Sequence, residues 1–95
     1  MTFEIERVEE DRFELRGRFD ASREAHVRRV FEEIEGSCVL DFEELSYISS
    51  AGLGLLVALQ LRLDEEGEGV TLANVNPHIR ELLRLAGLDS IFTLR

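Results

Sequence analysis

The chain reads as an α/β domain. We expect one mixed β-sheet of four to five strands, the first hairpin antiparallel and the rest largely parallel, with three or more helices packed against it. Three features predict this class. Two short segments that alternate apolar and polar residues stand in tandem at the start, Phe3-Glu4-Ile5-Glu6-Arg7-Val8 and Arg12-Phe13-Glu14-Leu15-Arg16; alternation with period two is the pattern of a half-buried strand. Strand-like and helix-like segments then take turns, which favours parallel neighbours and right-handed crossovers. Finally, Cys38-Val39-Leu40-Asp41-Phe42 is almost unbroken in its apolar character, the mark of a central strand covered on both faces. Ninety-five residues make one domain, 1–95.

Taken in order, the first segment alternates as far as Ile5 and then slips by one at Val8. Glu9-Glu10-Asp11 suits the hairpin turn, and Gly17-Arg18-Phe19-Asp20 ends the second strand. Asp20 or Ser22 supplies the cap of a first helix, because a short side-chain oxygen accepts from a free N–H of the first turn. Val27, Val30, Phe31 and Ile34 fall at i, i+3, i+4 and i+7 and form its apolar stripe, and Gly36 stops it. After the central run, Glu43 to Ile48 leads away as a loop. A second helix starts near Ser49 or Ser50, runs to about Glu66 and ends in Gly67-Glu68-Gly69. Val70 to Val75 is a strand. Asn76-Pro77 opens a third helix with a good cap and a proline at its first position. Its stripe is Ile79, Leu82, Leu83 and Ala86, with Gly87 as the left-handed stop and Leu88 as the contact beyond it. Ile91 to Leu94 forms a last short strand. There is no internal repeat, low-complexity tract or linker.

Composition narrows the function. Twenty acidic and 11 basic residues give a formal net charge of −9. That argues against nucleic acid, where Lys and Arg supply most of the affinity, and against anionic membranes. A basic protein partner is compatible with it. One cysteine, Cys38, forms no internal disulfide, and no Cys/His cluster has metal-ligand spacing. The start of the chain lacks the basic and apolar regions of a signal peptide. The longest apolar stretch, Ala51 to Leu59, is far short of the about 20 residues of a spanning helix. The expected address is the cytoplasm, with no cofactor and no metal.

The segment richest in signal runs from Val39 to Leu56. A buried strand ends, a short loop follows, and paired serines stand where a helix starts. Gly52 and Gly54 lie in its first turn; each costs about 1 kcal/mol against alanine, which suggests close approach by another backbone or by a partner. A lone serine at a helix start is most simply a cap. The second serine and the two glycines ask for more. The helix is also apolar beyond one stripe: Leu55, Leu56, Leu59 and Leu63 suit the sheet, while Leu53, Val57 and Leu61 lie toward another side, deeply buried or covered by a partner. Asp41, at the end of the central strand, either lines a crevice of the kind where ligands bind or hydrogen-bonds the loop before Ser49.

These residues resemble the signature of STAS domains, and specifically of bacterial anti-sigma-factor antagonists. Leu40-Asp41-Phe42 followed by Leu45-Ser46-Tyr47-Ile48-Ser49-Ser50-Ala51-Gly52-Leu53 is similar to the family's strand, loop and Asp/Ser-Ser-x-Gly-Leu. Gly17-Arg18-Phe19-Asp20 resembles its Gly-x-Leu-Asp, and Val70 to Pro77 with Leu85-Ala86-Gly87-Leu88 its C-terminal strand and helix. The resemblance covers nearly the whole chain, in order. It implies a phosphorylation switch. Ser50 stands at the position phosphorylated by the cognate anti-sigma factor, a serine kinase, and a serine phosphatase resets it. Ser49 stands where many members have Asp and is the alternative acceptor. Partner contact is implied for Asp20, Ser49, Ser50, Ala51, Gly52, Leu53, Gly54 and Val57; for Asp20, helix capping is the simpler role. STAS domains also serve as subunits of lipid-transport ABC complexes, and a scaffold with Ser50 unmodified is a third reading.

An enzyme finds little support. No Gly-x-Ser-x-Gly elbow surrounds either serine, His26 and His78 are far from Ser50 in sequence, and Gly52-Leu53-Gly54 lacks the rest of a dinucleotide or P-loop motif.

Overall fold

A computed structural model describes residues 2–95. Phe3–Glu9 (β1) and Arg12–Phe19 (β2) form the antiparallel hairpin. Their pairing shifts register between Arg7 and Glu9, where the alternation slips in the sequence. A short 3₁₀ turn, Ala21–Arg23, leads into α1, Glu24–Glu32. Cys38–Asp41 (β3) and Leu45–Ile48 (β4) follow, then α2, Ser50–Asp64. Val70–Ala73 (β5), α3 (Pro77–Leu85) and Thr93–Leu94 (β6) complete the chain.

The sheet has six strands, in the order β1-β2-β3-β5-β6, with β4 also paired to β2. All pairs but the first are parallel. The sixth strand is β4, where the sequence suggested a loop. It exists because β2 changes partner along its length: Arg12 to Glu14 pair with β3, and Gly17 to Phe19 pair with β4. Gly17 makes the change. Its φ is 90° and a Cβ there would sit 2.1 Å from the Thr2 carbonyl oxygen, so only glycine takes this backbone without strain.

The sheet is not covered equally on its two faces. Phe13, Leu15, Leu40 and Leu72 are buried on one side, within a single core that also takes in Val27 and Phe31 of α1, Leu56 and Leu63 of α2, and Ile79 and Leu83 of α3. On the other side Val39 stays half-exposed. Arg16 there reaches Glu6 at 2.9 Å and Glu14 at 2.7 Å. The expected double cover of the central strand is therefore a single cover plus a polar face. Local signals set the helix ends. Asn76 accepts from the Ile79 N–H at 2.8 Å. Gly87 has φ 74°, and the Leu88 N–H closes on the Leu83 carbonyl at 2.8 Å, the Schellman pattern. The first helix ends at Glu32, before Gly36, and the second at Asp64 rather than Glu66.

Candidate functional site

The parallel pairing of β2 with β4 builds the site. Phe19 stands beside Ile48 in register, and one step on the Ser49 N–H donates to the Phe19 carbonyl at 2.9 Å. The carboxyl ends of two strands therefore deliver Asp20 and Ser49 side by side, although 29 residues apart in sequence.

The two serines have different environments. Ser49 is half-buried with extended backbone, and its Oγ accepts from the Gly52 N–H at 3.1 Å; it is the N-cap of α2. Ser50 is the first helical residue and is exposed. Asp20 caps the 3₁₀ turn. Its Oδ1 accepts from the Ser22 N–H at 3.0 Å and from the Ser22 hydroxyl at 2.5 Å, and the bond to Ser22 holds its pKa below the ordinary carboxylate range. The Arg18 Nε lies 3.8 Å from its other oxygen. Asp20 thus caps the 3₁₀ turn, whereas α1 itself starts from Arg23 with no side-chain cap.

Gly52 and Gly54 separate as well. A Cβ on Gly52 would lie 2.8 Å from Ile48 Cγ1 and 3.2 Å from Phe19 Cε2, whereas one on Gly54 meets nothing within 4 Å. The close approach at Gly52 is made by the chain's own side chains. Gly54 is an exposed gap in the helix surface. Opposite effects are expected. Gly54→Ala should raise stability by about 1 kcal/mol through helix propensity. Gly52→Ala forfeits that gain to overpacking, which costs about 1–3 kcal/mol. Denaturant midpoints of the two variants that move in the same direction would contradict this assignment.

From Ser50 to Leu61 the second helix carries no charged residue. Leu55, Leu56 and Leu59 are buried. Ala51, Leu53 and Val57 are half-exposed, and Gly54, Ala58 and Leu61 are open to solvent. In a chain that is 33% charged, this is a continuous uncharged face running away from Ser50.

Asp41 is 7% exposed and acts as a hub. One oxygen takes the Arg12 guanidinium at 2.7 Å; the other accepts from the Glu43 N–H at 3.0 Å and from the Asn74 amide at 3.1 Å. Burial pushes its pKa up, but the Glu43 N–H, Asn74 and Arg12 outweigh it and the net shift is downward. It joins β2, β3 and the turn after β5, and its bond to the Glu43 N–H ties down the start of the segment that leads to Ser49, the loop contact expected from the sequence. Cys38 is buried, and burial pushes its thiol up to about 11. His26 and His78 are exposed on α1 and α3. Among the described residues no three His, Cys, Asp or Glu side chains converge as a metal site, and no helix is long and apolar enough to cross a membrane.

Sequence reasoning missed one pair beside the site. Arg18 and Tyr47 are partners in the β2–β4 register, and the guanidinium carbon sits 3.8 Å from the ring centroid. Nothing local signals this contact, because it depends on β4 being a strand.

Comparison with known proteins places this arrangement. The 71 residues shared with the putative anti-sigma factor antagonist BtrV of Bordetella bronchiseptica are 45% identical and span 73% of this chain and 60% of that one. The anti-sigma F factor antagonist of Paenibacillus polymyxa is 31% identical over 71 residues, 75% of this chain and 57% of its own. The chain thus spans about 60% of the length of these relatives. Among solved structures, the anti-sigma factor antagonist SpoIIAA of Bacillus has the same fold. Its unphosphorylated form gives a TM-score of 0.76 at 23% identity, covering 99% of this chain and 88% of that one. Its phosphorylated form gives 0.71 at 22% identity, covering 99% and 91%. A family model described as "Mlab, STAS domain" matches residues 3–94. With the mixed sheet, the β2–β4 pairing and the serine-capped second helix all lying within that match, the chain belongs to the STAS domain family.

Proposed function

We propose that this chain is an anti-sigma-factor antagonist that binds a cognate anti-sigma factor with serine-kinase activity and is switched off by phosphorylation at Ser50. The observation that carries the reading is the division of labour between the two serines. Ser49 spends its hydroxyl oxygen on the Gly52 N–H, while Ser50 stands exposed on the first turn. The names of the relatives, anti-sigma factor antagonists in both cases, support the partner class.

The physics supports a switch at this place. A phosphate on the first turn meets free N–H groups and the positive end of the helix dipole, worth roughly 0.3–1 kcal/mol and up to about 2. The domain therefore carries the group without unfolding, as befits a fold that SpoIIAA keeps in both forms. At an interface the added charge, about −1.5 to −2, is costly unless the partner pairs it. Ser50, Ala51, Leu53, Gly54 and Val57 form the contact face in this reading, with Asp20 and Ser49 at its edge. Gly52 supports it from beneath. The chain acts by contact rather than catalysis, works in the cytoplasm, and is reset by a serine phosphatase.

Incubation with the cognate kinase and ATP, followed by phosphosite mapping, tests the proposal. Modification is expected at Ser50, and Ser50→Ala should bind yet stay unmodified. Modification away from both serines, or none, rejects the switch. Failure together with co-purification with an ATPase–permease assembly would point to a transporter subunit instead.

A further inference from the structure

A concavity lies at the end of the sheet away from Ser50. About 540 Å³ in volume, it is lined by the hairpin turn (Glu10, Asp11), the segment just after α1 (Glu33, Ile34, Glu35) and the start of β3 (Cys38). A second hollow of about 210 Å³ continues it along the seam between the hairpin and α1, lined by Ile5, Phe13, Val30 and Ile34. Arg7, Phe13, Glu33 and Ile34 belong to both, so the two form one groove.

Its chemistry is specific. The floor along the seam is apolar. The lips carry Glu10 and Asp11 on one side and Glu33 and Glu35 on the other, and among the described residues none of these four is in an ion pair. The one basic residue of the lining, Arg7, is already engaged: its Nε donates to the Glu10 carbonyl at 2.9 Å and its guanidinium lies 5.4 Å from the centre of the Phe13 ring. The frame is fixed, since the Val39 N–H holds the Asp11 carbonyl at 2.7 Å.

We propose that this groove docks a basic amphipathic segment of a partner protein, with apolar side chains seated over Phe13 and Ile34 and Lys or Arg side chains against the four free carboxylates. Charge complementarity selects this occupant. A nucleic acid or an anionic lipid surface meets repulsion from both lips. A second copy of a chain with net charge −9 brings more of the same charge. A lone metal ion finds no converging carboxylates among the described residues. The position matters as much as the chemistry. From Arg12 to Phe19, β2 spans seven steps of about 3.3 Å, or about 23 Å, nearly three Debye lengths of about 8 Å. A charge added at Ser50 is screened from the groove, so a partner held here stays attached in either state of the switch. The groove does not depend on the role proposed for Ser50.

Fluorescence anisotropy with a labelled peptide of Leu and Lys in helical amphipathic order tests this. Saturable binding is expected, and it should weaken about tenfold or more in the double variant Glu33→Lys/Glu35→Lys, which turns attraction into repulsion at one lip. The double variant Glu43→Lys/Glu44→Lys changes net charge equally at the far end and should stay within about twofold. A peptide with every Leu replaced by Ser should bind about tenfold or more weakly, and the Ser50→Asp protein should bind as the parent does. In amide NMR spectra the peptide should shift Phe13, Ile34 and Gly36. Equal loss in both double variants, full affinity in Glu33→Lys/Glu35→Lys, or shifts confined to α2 would each overturn the proposal.

Discussion

Phe19→Ala is expected to lower the unfolding free energy by about 3–5 kcal/mol, the usual cost of deleting a fully buried aromatic side chain. The ring is 0% exposed. It lies beneath the first turn of α2, where a Cβ on Gly52 would crowd it at 3.2 Å, and it packs at 5.2 Å and 34° on Phe3 of the neighbouring strand. Its loss opens a cavity where β1, β2, β4 and α2 meet. Small domains have only about 5–15 kcal/mol in total, so the variant should sit near its unfolding midpoint already at low urea. Phe19→Leu, which fills most of the space, should lose less. The Ser49-to-Phe19 bond is backbone to backbone and survives both changes, so a folded Phe19→Leu protein should keep the geometry at Ser50. A measured cost below about 1 kcal/mol for Phe19→Ala would mean that the helix start does not rest on this ring.

That dependence on Phe19 also explains what the sequence showed and what it hid. Three helix ends were readable because their caps are local. Ser49, Asn76 and Gly87 each act within a few residues, and each stands where its chemistry requires. The slip at Val8 was readable too, since a register shift moves side chains to the other face. β4 was not. Leu45-Ser46-Tyr47-Ile48 is too short to establish a period, and it becomes a strand only because β2 turns from β3 to a new partner at Gly17. Without that strand, the neighbourhood of Asp20 and Ser49 and the stacking of Arg18 on Tyr47 could not be inferred. Cys38 to Phe42 misled in another way. An apolar run predicts cover on both faces, yet here the second face carries the partly buried ion pair of Asp41 with Arg12 and leaves Val39 half-exposed. Gly52 and Gly54 look alike in sequence, and only three dimensions separate the glycine that accommodates the core from the one on the surface.

Ser50→Asp is expected to weaken binding to the proposed partner kinase about 100-fold, or about 2.8 kcal/mol, while Ser50→Ala binds as the parent does. This rests on the contact face proposed for α2. In the free chain a carboxylate at this position is hydrated and faces the helix N-terminus, so stability should hold or rise by roughly 0.3–1 kcal/mol. In the proposed complex the same carboxylate is covered by the partner and loses its water. An interfacial charge left without a partner costs about 2–5 kcal/mol, more than the dipole returns. The sign of the two effects is therefore opposite, and that opposition separates a switch from a damaged fold. Titration calorimetry with the kinase and urea unfolding of the free variant read the two quantities independently. Binding lost together with stability would indicate a structural role for Ser50. Binding retained within about threefold would place the contact face elsewhere, because a charge at the centre of a dry interface cannot be that cheap.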